Sequence, residues 1–140
     1  MDKILVPFDG SENAMRAVQH VVSEAGKYPQ TEVLLLHVVD PYSVHPNAEF
    51  WQATDKSRFL DDGEKLLAPA KQVLDKAGVA YTSAVALGSP GHEIANFARK
   101  HACNSIVMGT RGLSPMASFF IGSIAQRVMQ LADVPVTLVK

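Results

Sequence analysis

Four residues between positions 109 and 123, within "GTRGLSPMASFFIGS", have types and spacing that could do chemistry together: Gly109, Gly112, Gly122 and Ser123. Glycine lets a backbone adopt positive φ and approach a ligand closely, so successive N–H groups can point at one anion. Gly122-Ser123 opens a stretch with helical spacing, Ile121, Ile124, Ala125, Val128 and Ala132. The unpaired N–H groups and dipole at such a helix start favour negative charge. The Ser123 hydroxyl can donate to a phosphate oxygen or ligate Mg²⁺. Thr110 adds a donor, and Arg111 is the one fixed positive charge of the loop. This is the chemistry of a phosphate cradle, and its competitor is plain turn chemistry. Two known cradles are excluded. A P-loop needs Gly-Lys-Ser/Thr, and the one Gly-Lys pair, Gly26-Lys27, is followed by Tyr28. A dinucleotide fingerprint needs Gly-x-Gly, which occurs nowhere in the chain.

The elements that must position these residues alternate along the chain. "ILVPF" (4–8) is a buried strand pattern ending at Asp9-Gly10. Ser11 can cap a helix carrying Ala14, Ala17, Val18, Val21, Val22 and Ala25, which Gly26 stops. "VLLLHVV" (33–39) is nearly continuous rather than alternating, as a strand covered on both faces would be. Residues 40–58 are expected to form a long loop leading into a helix. From Leu60 to Ala77 the spacing is helical, and Pro69 must kink that helix or begin a second one. "VAYTSAVA" (79–86) is a weaker strand, placed at an edge. Ser89-Pro90 is a cap followed by a first-turn proline, ahead of Ile94, Phe97 and Ala98. "SIVMG" (105–109), the helix after Ser123 and "VPVTLVK" (134–140) complete the order β-α-β-α-β-α-β-α-β. That order predicts an α/β fold, a doubly wound parallel sheet with right-handed crossovers. Ligands bind such sheets beyond the carboxyl ends of the strands, where strand order reverses. The quoted stretch falls on that edge, together with Asp9 and Val38.

Composition narrows the function classes. A chain of 140 residues with 47% hydrophobic and 19% charged side chains is expected to be one domain, 1–140. A formal net charge of −1 and no basic run give nothing to draw it to nucleic acid or anionic lipid. No apolar stretch reaches membrane-spanning length, and the opening residues lack the pattern of a signal peptide. The single cysteine, Cys103, fits a reducing compartment and reads as a buried thiol. A cytoplasmic protein is expected.

The spacing Gly109-x2-Gly112-x9-Gly122-Ser123 resembles the ATP-binding signature of the universal stress protein family. "ILVPFDGSENAMRAV", "LLLHVVDP", "GSPGHEIANFA", "SIVMGTRGLS" and "GSIAQRVMQLADVPVTLVK" resemble, in order, further segments of that family. Asn104 departs from it, standing where an Asp before the fourth strand is usual. The resemblance implies a five-stranded Rossmann-like sheet of order 3-2-1-4-5 and a bound ATP with Mg²⁺. It implies that Asp9 contacts the ribose, with Pro7 beside it, and that the main chain at Val38 recognises adenine. The phosphates would lie on Gly109, Thr110, Arg111, Gly112, Leu113 and Ser114 and on Gly122, Ser123 and Ile124. Mg²⁺ would be held through the phosphates, with Ser123 as a candidate ligand. It also implies a homodimer paired through the closing strand, 134–140, whose sequence has few charges to block an edge.

Three functions compete. One is a dimeric ATP-binding regulatory module of the stress response. The second is a slow ATP hydrolase or nucleotide phosphotransferase, for which His92 is the sole candidate base and Arg111 the sole charge. The third is a dimeric scaffold that uses no nucleotide. Asp9 could instead serve as a helix cap, and Gly88 and Gly91 read as turn and cap residues. His37 reads as a satisfied core histidine. His20, His45 and His101 share no metal-ligand spacing with Cys103. Met108, Met116, Met129 and the run Phe119-Phe120-Ile121 read as packing or interface residues.

Overall fold

Runs of Leu, Ile and Val with no charge between them fit only where both faces of a strand are covered. The computed structural model, which describes residues 2–41, 53–110 and 121–140, shows how. Five strands, β1 (Lys3–Pro7), β2 (Glu32–Val39), β3 (Ala80–Leu87), β4 (Ser105–Gly109) and β5 (Val136–Val139), form one sheet of order β3-β2-β1-β4-β5. Every neighbouring pair is parallel. The helices among the described residues are α1 (Glu12–Lys27), α2 (Ala53–Leu66), α3 (Ala68–Ala77), α4 (Pro90–Lys100) and α5 (Ser123–Leu131).

The two-residue period of the strands divides the core. Val6, Val33, Leu35 and Val107 pack with Ala14, Ala17, Val18 and Val21 of α1 and with Leu67, Ala70 and Leu74. Their neighbours Leu5, Leu34, Leu36, Ile106 and Met108 turn to the other face, against Ile94 and Ala98 of α4 and Ala125 and Val128 of α5. The doubly wound sheet and its strand order are therefore as expected.

Local chemistry sets the helix limits. The Ser11 hydroxyl accepts from the Ala14 N–H at 3.1 Å and starts α1. Pro69 sits in the first turn of α3, so the expected helix from Leu60 to Ala77 is two helices rather than one kinked helix. Gly78, at φ +68°, ends the second. The first of them starts at Ala53, inside the stretch expected to be loop, because its polar opening turns carry no apolar stripe to announce it. Ser89 differs from expectation. Its backbone precedes α4 in an extended conformation, but its hydroxyl makes no cap bond. The fixed φ of Pro90 and the bond from Glu93 N–H to the Ser89 carbonyl, 2.9 Å, begin that helix instead.

Candidate functional site

Strand order reverses at β1, which lies between β2 and β4, and the carboxyl ends of these three strands open onto one cleft. The end of β1, the connection and the first turn of α1 contribute Pro7, Phe8, Asp9, Ser11 and Asn13 to its wall, and β2 contributes Leu36, His37 and Val38. Met108, Gly109 and Thr110 come from the end of β4. Gly122, Ser123 and Ile124 come from the start of α5, and Pro90 and Ile94 from α4. Pro7, Asp9, Val38, Gly109, Thr110, Gly122, Ser123 and Ile124, all singled out from sequence, are thus brought together. Arg111, Gly112, Leu113 and Ser114 lie outside the described residues, as do Met116, Phe119 and Phe120.

The members of this wall are held in different ways. One carboxylate oxygen of Asp9 accepts from the Ser11 N–H at 2.9 Å, an Asx turn that fixes the entry to α1. Its second oxygen has no protein partner among the described residues. Cap and ligand roles are therefore compatible in Asp9. Gly122 precedes α5 at φ +89°, a conformation that favours glycine, and offers no side chain to cap the first N–H groups of that helix. Ser123 follows at the first helical position, exposed.

Gly109 and Thr110 also have partners within the fold. A Cβ on Gly109 would fall on the Asn13 carbonyl and within 2.9 Å of the Ala14 nitrogen. Its missing side chain lets β4 pass beneath the first turn of α1, so packing alone requires glycine here. Thr110 was expected to offer a donor to the cradle. Its N–H and its hydroxyl instead both reach the Val139 carbonyl, at 2.9 and 3.3 Å, so both donors are spent on β5.

At the end of β2 the ladder stops in an informative way. Phe8 N–H donates to the Leu36 carbonyl at 2.8 Å, and Gly88 N–H donates to the Val39 carbonyl at 2.9 Å. Backbone groups alternate in direction along a strand. Leu36 therefore faces β1, Val39 faces β3, and the N–H and C=O of Val38 face the β1 side, where β1 has already ended. The Phe8 carbonyl would be the next partner for Val38 N–H. It accepts instead from the His37 ring, whose Nδ1–H donates to it at 2.9 Å and draws it away from Val38. Val38 N–H has no backbone partner among the described residues. His37, expected in the core, is satisfied but only half-buried and lines the cleft.

Other lining residues carried no sequence motif. Asn13 is one: the Arg16 guanidinium donates to its Oδ1, and since a guanidinium only donates, the Asn13 amide is fixed with its NH₂ end left over. Its position in the first turn after the Ser11 cap was the available signal. His92 is exposed on α4 and is not part of the cleft wall, although Pro90 and Ile94 are. Ile124, expected on the apolar face of α5, is 43% exposed at the cleft instead. Cys103 is 4% exposed, and burial raises its thiol above the ordinary range, as expected of an inert thiol. Among the described residues no three His, Cys, Asp or Glu side chains cluster as a metal site. None of the described helices is long and apolar enough to cross a membrane.

A five-stranded parallel sheet with an open cleft at its switch point defines the class of Rossmann-like α/β proteins. Within it, the profile of the Universal stress protein family matches residues 1–140, and the chain belongs to that family. It is 32% identical over 140 residues to Universal stress protein MJ0531 of Methanocaldococcus jannaschii, covering 99% of this chain and 81% of that one. The solved structure of MJ0577, from the same organism, superposes with a TM-score of 0.79 at 28% identity, covering 99% of this chain and 95% of that chain. The family protein At3g01520 of Arabidopsis thaliana, solved with AMP bound, shares the fold with a TM-score of 0.72 at 18% identity. It covers 100% of this chain and 91% of its own.

Proposed function

We propose that this chain is an adenine-nucleotide-binding module of the universal stress type, taking ATP with Mg²⁺ in the cleft at the carboxyl edge of the sheet. The observation that carries this reading is the unpaired main chain of Val38 on the same cleft as Asp9 and the open start of α5 at Gly122-Ser123. Adenine presents an acceptor beside a donor, which a free C=O and N–H pair can match. Asp9 would take the ribose hydroxyls, and Gly122, Ser123 and Ile124 the phosphates, with residues 109–114 completing the cradle. Thr110 would take part through its position rather than its donors. The AMP bound to At3g01520 lends support by likeness of fold.

Mg²⁺ fits the donor set. This ion keeps several waters and is bound by one or two side-chain oxygens together with substrate phosphates, rather than by an all-protein cage. Ser123 supplies a hard oxygen at the start of α5. When bound, the ion neutralises phosphate charge. The residues around it bind and orient, and His92 stands outside the wall, so regulation by occupancy is the reading favoured over hydrolysis.

The working unit is a symmetric dimer in the cytoplasm, built on a single domain. Pro135 and Val139 carbonyls accept from Ile106 and Thr110 N–H on β4. By alternation, the backbone groups of Val136 and Leu138 face the outer edge of β5, the last strand in the sheet order. A second copy of the same edge would satisfy them.

The test is to denature the purified protein and identify any nucleotide released, then to titrate the emptied protein with Mg-ATP. Stoichiometric adenine nucleotide, or saturable binding of added Mg-ATP, is expected. An empty protein that also fails to bind Mg-ATP overturns the reading and leaves a scaffold.

A further inference from the structure

The geometry points to His37 as the residue that makes the cleft selective for adenine, by taking the backbone partner that Val38 would otherwise use. This rests on the adenine-nucleotide reading above and adds the residue that creates its base-reading edge.

In a parallel ladder each rung sets up the next one. Phe8 N–H to Leu36 carbonyl is made, and Val38 N–H to Phe8 carbonyl should follow. The His37 side chain reaches back and donates Nδ1–H to that carbonyl at 2.9 Å. A carbonyl oxygen only accepts, so the ring nitrogen facing it carries the proton. The rung is replaced, and Val38 keeps its N–H and C=O side by side on the cleft. Adenine offers N1 as acceptor and its 6-amino group as donor, the complement of that pair. Hypoxanthine offers the reverse, N1–H and a carbonyl, and meets like against like.

The space for the ring is built in. A Cβ on Gly63 of α2 would lie 3.3 Å from His37 Cδ2 and 2.6 Å from Val85 Cγ1. The missing side chain lets α2 close over the imidazole and hold it against Phe8. His37 is therefore a positioning residue. It touches the carbonyl of Phe8 and acts on the ligand through Val38.

The experiment compares Mg-ATP, Mg-ITP and inorganic tripolyphosphate on the full chain by calorimetry. Wild-type protein should prefer ATP over ITP by about tenfold or more, the worth of one good hydrogen bond exchanged for an unpaired group. His37→Leu frees the Phe8 carbonyl for Val38 and should collapse that ratio to about twofold or less. Tripolyphosphate affinity should be unchanged, and His37→Gln, which retains a donor for Phe8, should restore the preference. A His37→Leu protein that keeps the wild-type ratio overturns this inference while leaving nucleotide binding intact. A wild-type protein that binds no nucleotide overturns the functional reading and this inference with it. Should His37→Leu fail to fold, amide exchange of the unliganded wild type decides. Val38 should exchange quickly beside a protected Leu36, and a protected Val38 overturns the proposal.

Discussion

At Gly109 an added Cβ would meet the Asn13 carbonyl of α1, whereas Gly122 stands at φ +89° before α5, so the two glycines are constrained by different physics. The first constraint is packing between a strand and a helix backbone, which has no flexible end to give way. Gly109→Ala is expected to destabilise the protein by about 1–3 kcal/mol, the range for overpacked sites. The urea midpoint should fall with an unchanged m-value; an unchanged midpoint would refute the packing argument. Cys103 supports a prediction in pH. Burial raises its thiol above the ordinary range. The unfolded chain, with a pKa of about 8.5, therefore loses its proton first. The stabilising contribution is complete below that value and is lost as pH rises toward the folded-state pKa. Tyr81 is also raised, by burial first and by its hydrogen bond to Asp75 second, and adds to the same alkaline loss. Unfolding free energy should decline above about pH 8.5, and less steeply in Cys103→Ala. Equal slopes in the two proteins would assign the loss elsewhere.

Among the helices, α1 couples the cleft to the core. Its cap is Ser11, its buried stripe runs from Ala14 to Val21, and its first turn rests on Gly109. Ser11→Ala leaves the Ala14 N–H without its acceptor and should cost about 1 kcal/mol, read as a lowered melting temperature; Ser11→Asp, which caps equally well, should restore it. The inner strands β1, β2 and β4 were legible in the sequence because their runs are apolar on both faces, and α1 because its stripe and cap coincide. The start of α2 was not. Lys56, Ser57 and Arg58 are exposed, so its opening turns carry no buried period to read. The cleft was legible wherever glycine, proline or an acidic residue marked a strand end. Roles that depend on a distant neighbour were hidden. Nothing near Gly109 in sequence announces Asn13, and nothing near His37 announces that the Phe8 carbonyl is its partner. The bonds of Thr110 were hidden for the same reason, because its partner Val139 belongs to the last strand.

For the whole molecule, the order β3-β2-β1-β4-β5 leaves β5 at one margin with the backbone groups of Val136 and Leu138 facing outward. Val136→Pro removes an outward N–H and no rung to β4. It should convert the proposed dimer to a folded monomer in analytical ultracentrifugation, with the far-ultraviolet spectrum retained; a dimer that survives it would place the interface elsewhere. The same order has a consequence in time. On the ribosome, β1 acquires β2 as its neighbour early, but its opposite side must wait for Ser105–Gly109. Until then the future centre of the sheet is a raw margin, open to any passing strand. The wall of the cleft still lacks Gly109 and the start of α5. A half-made chain is therefore blind to whatever the finished cleft holds. Under the proposed function, occupancy rewards only molecules that have brought the middle of the sheet and its far side together, and an abundant ligand becomes a late inspector of assembly.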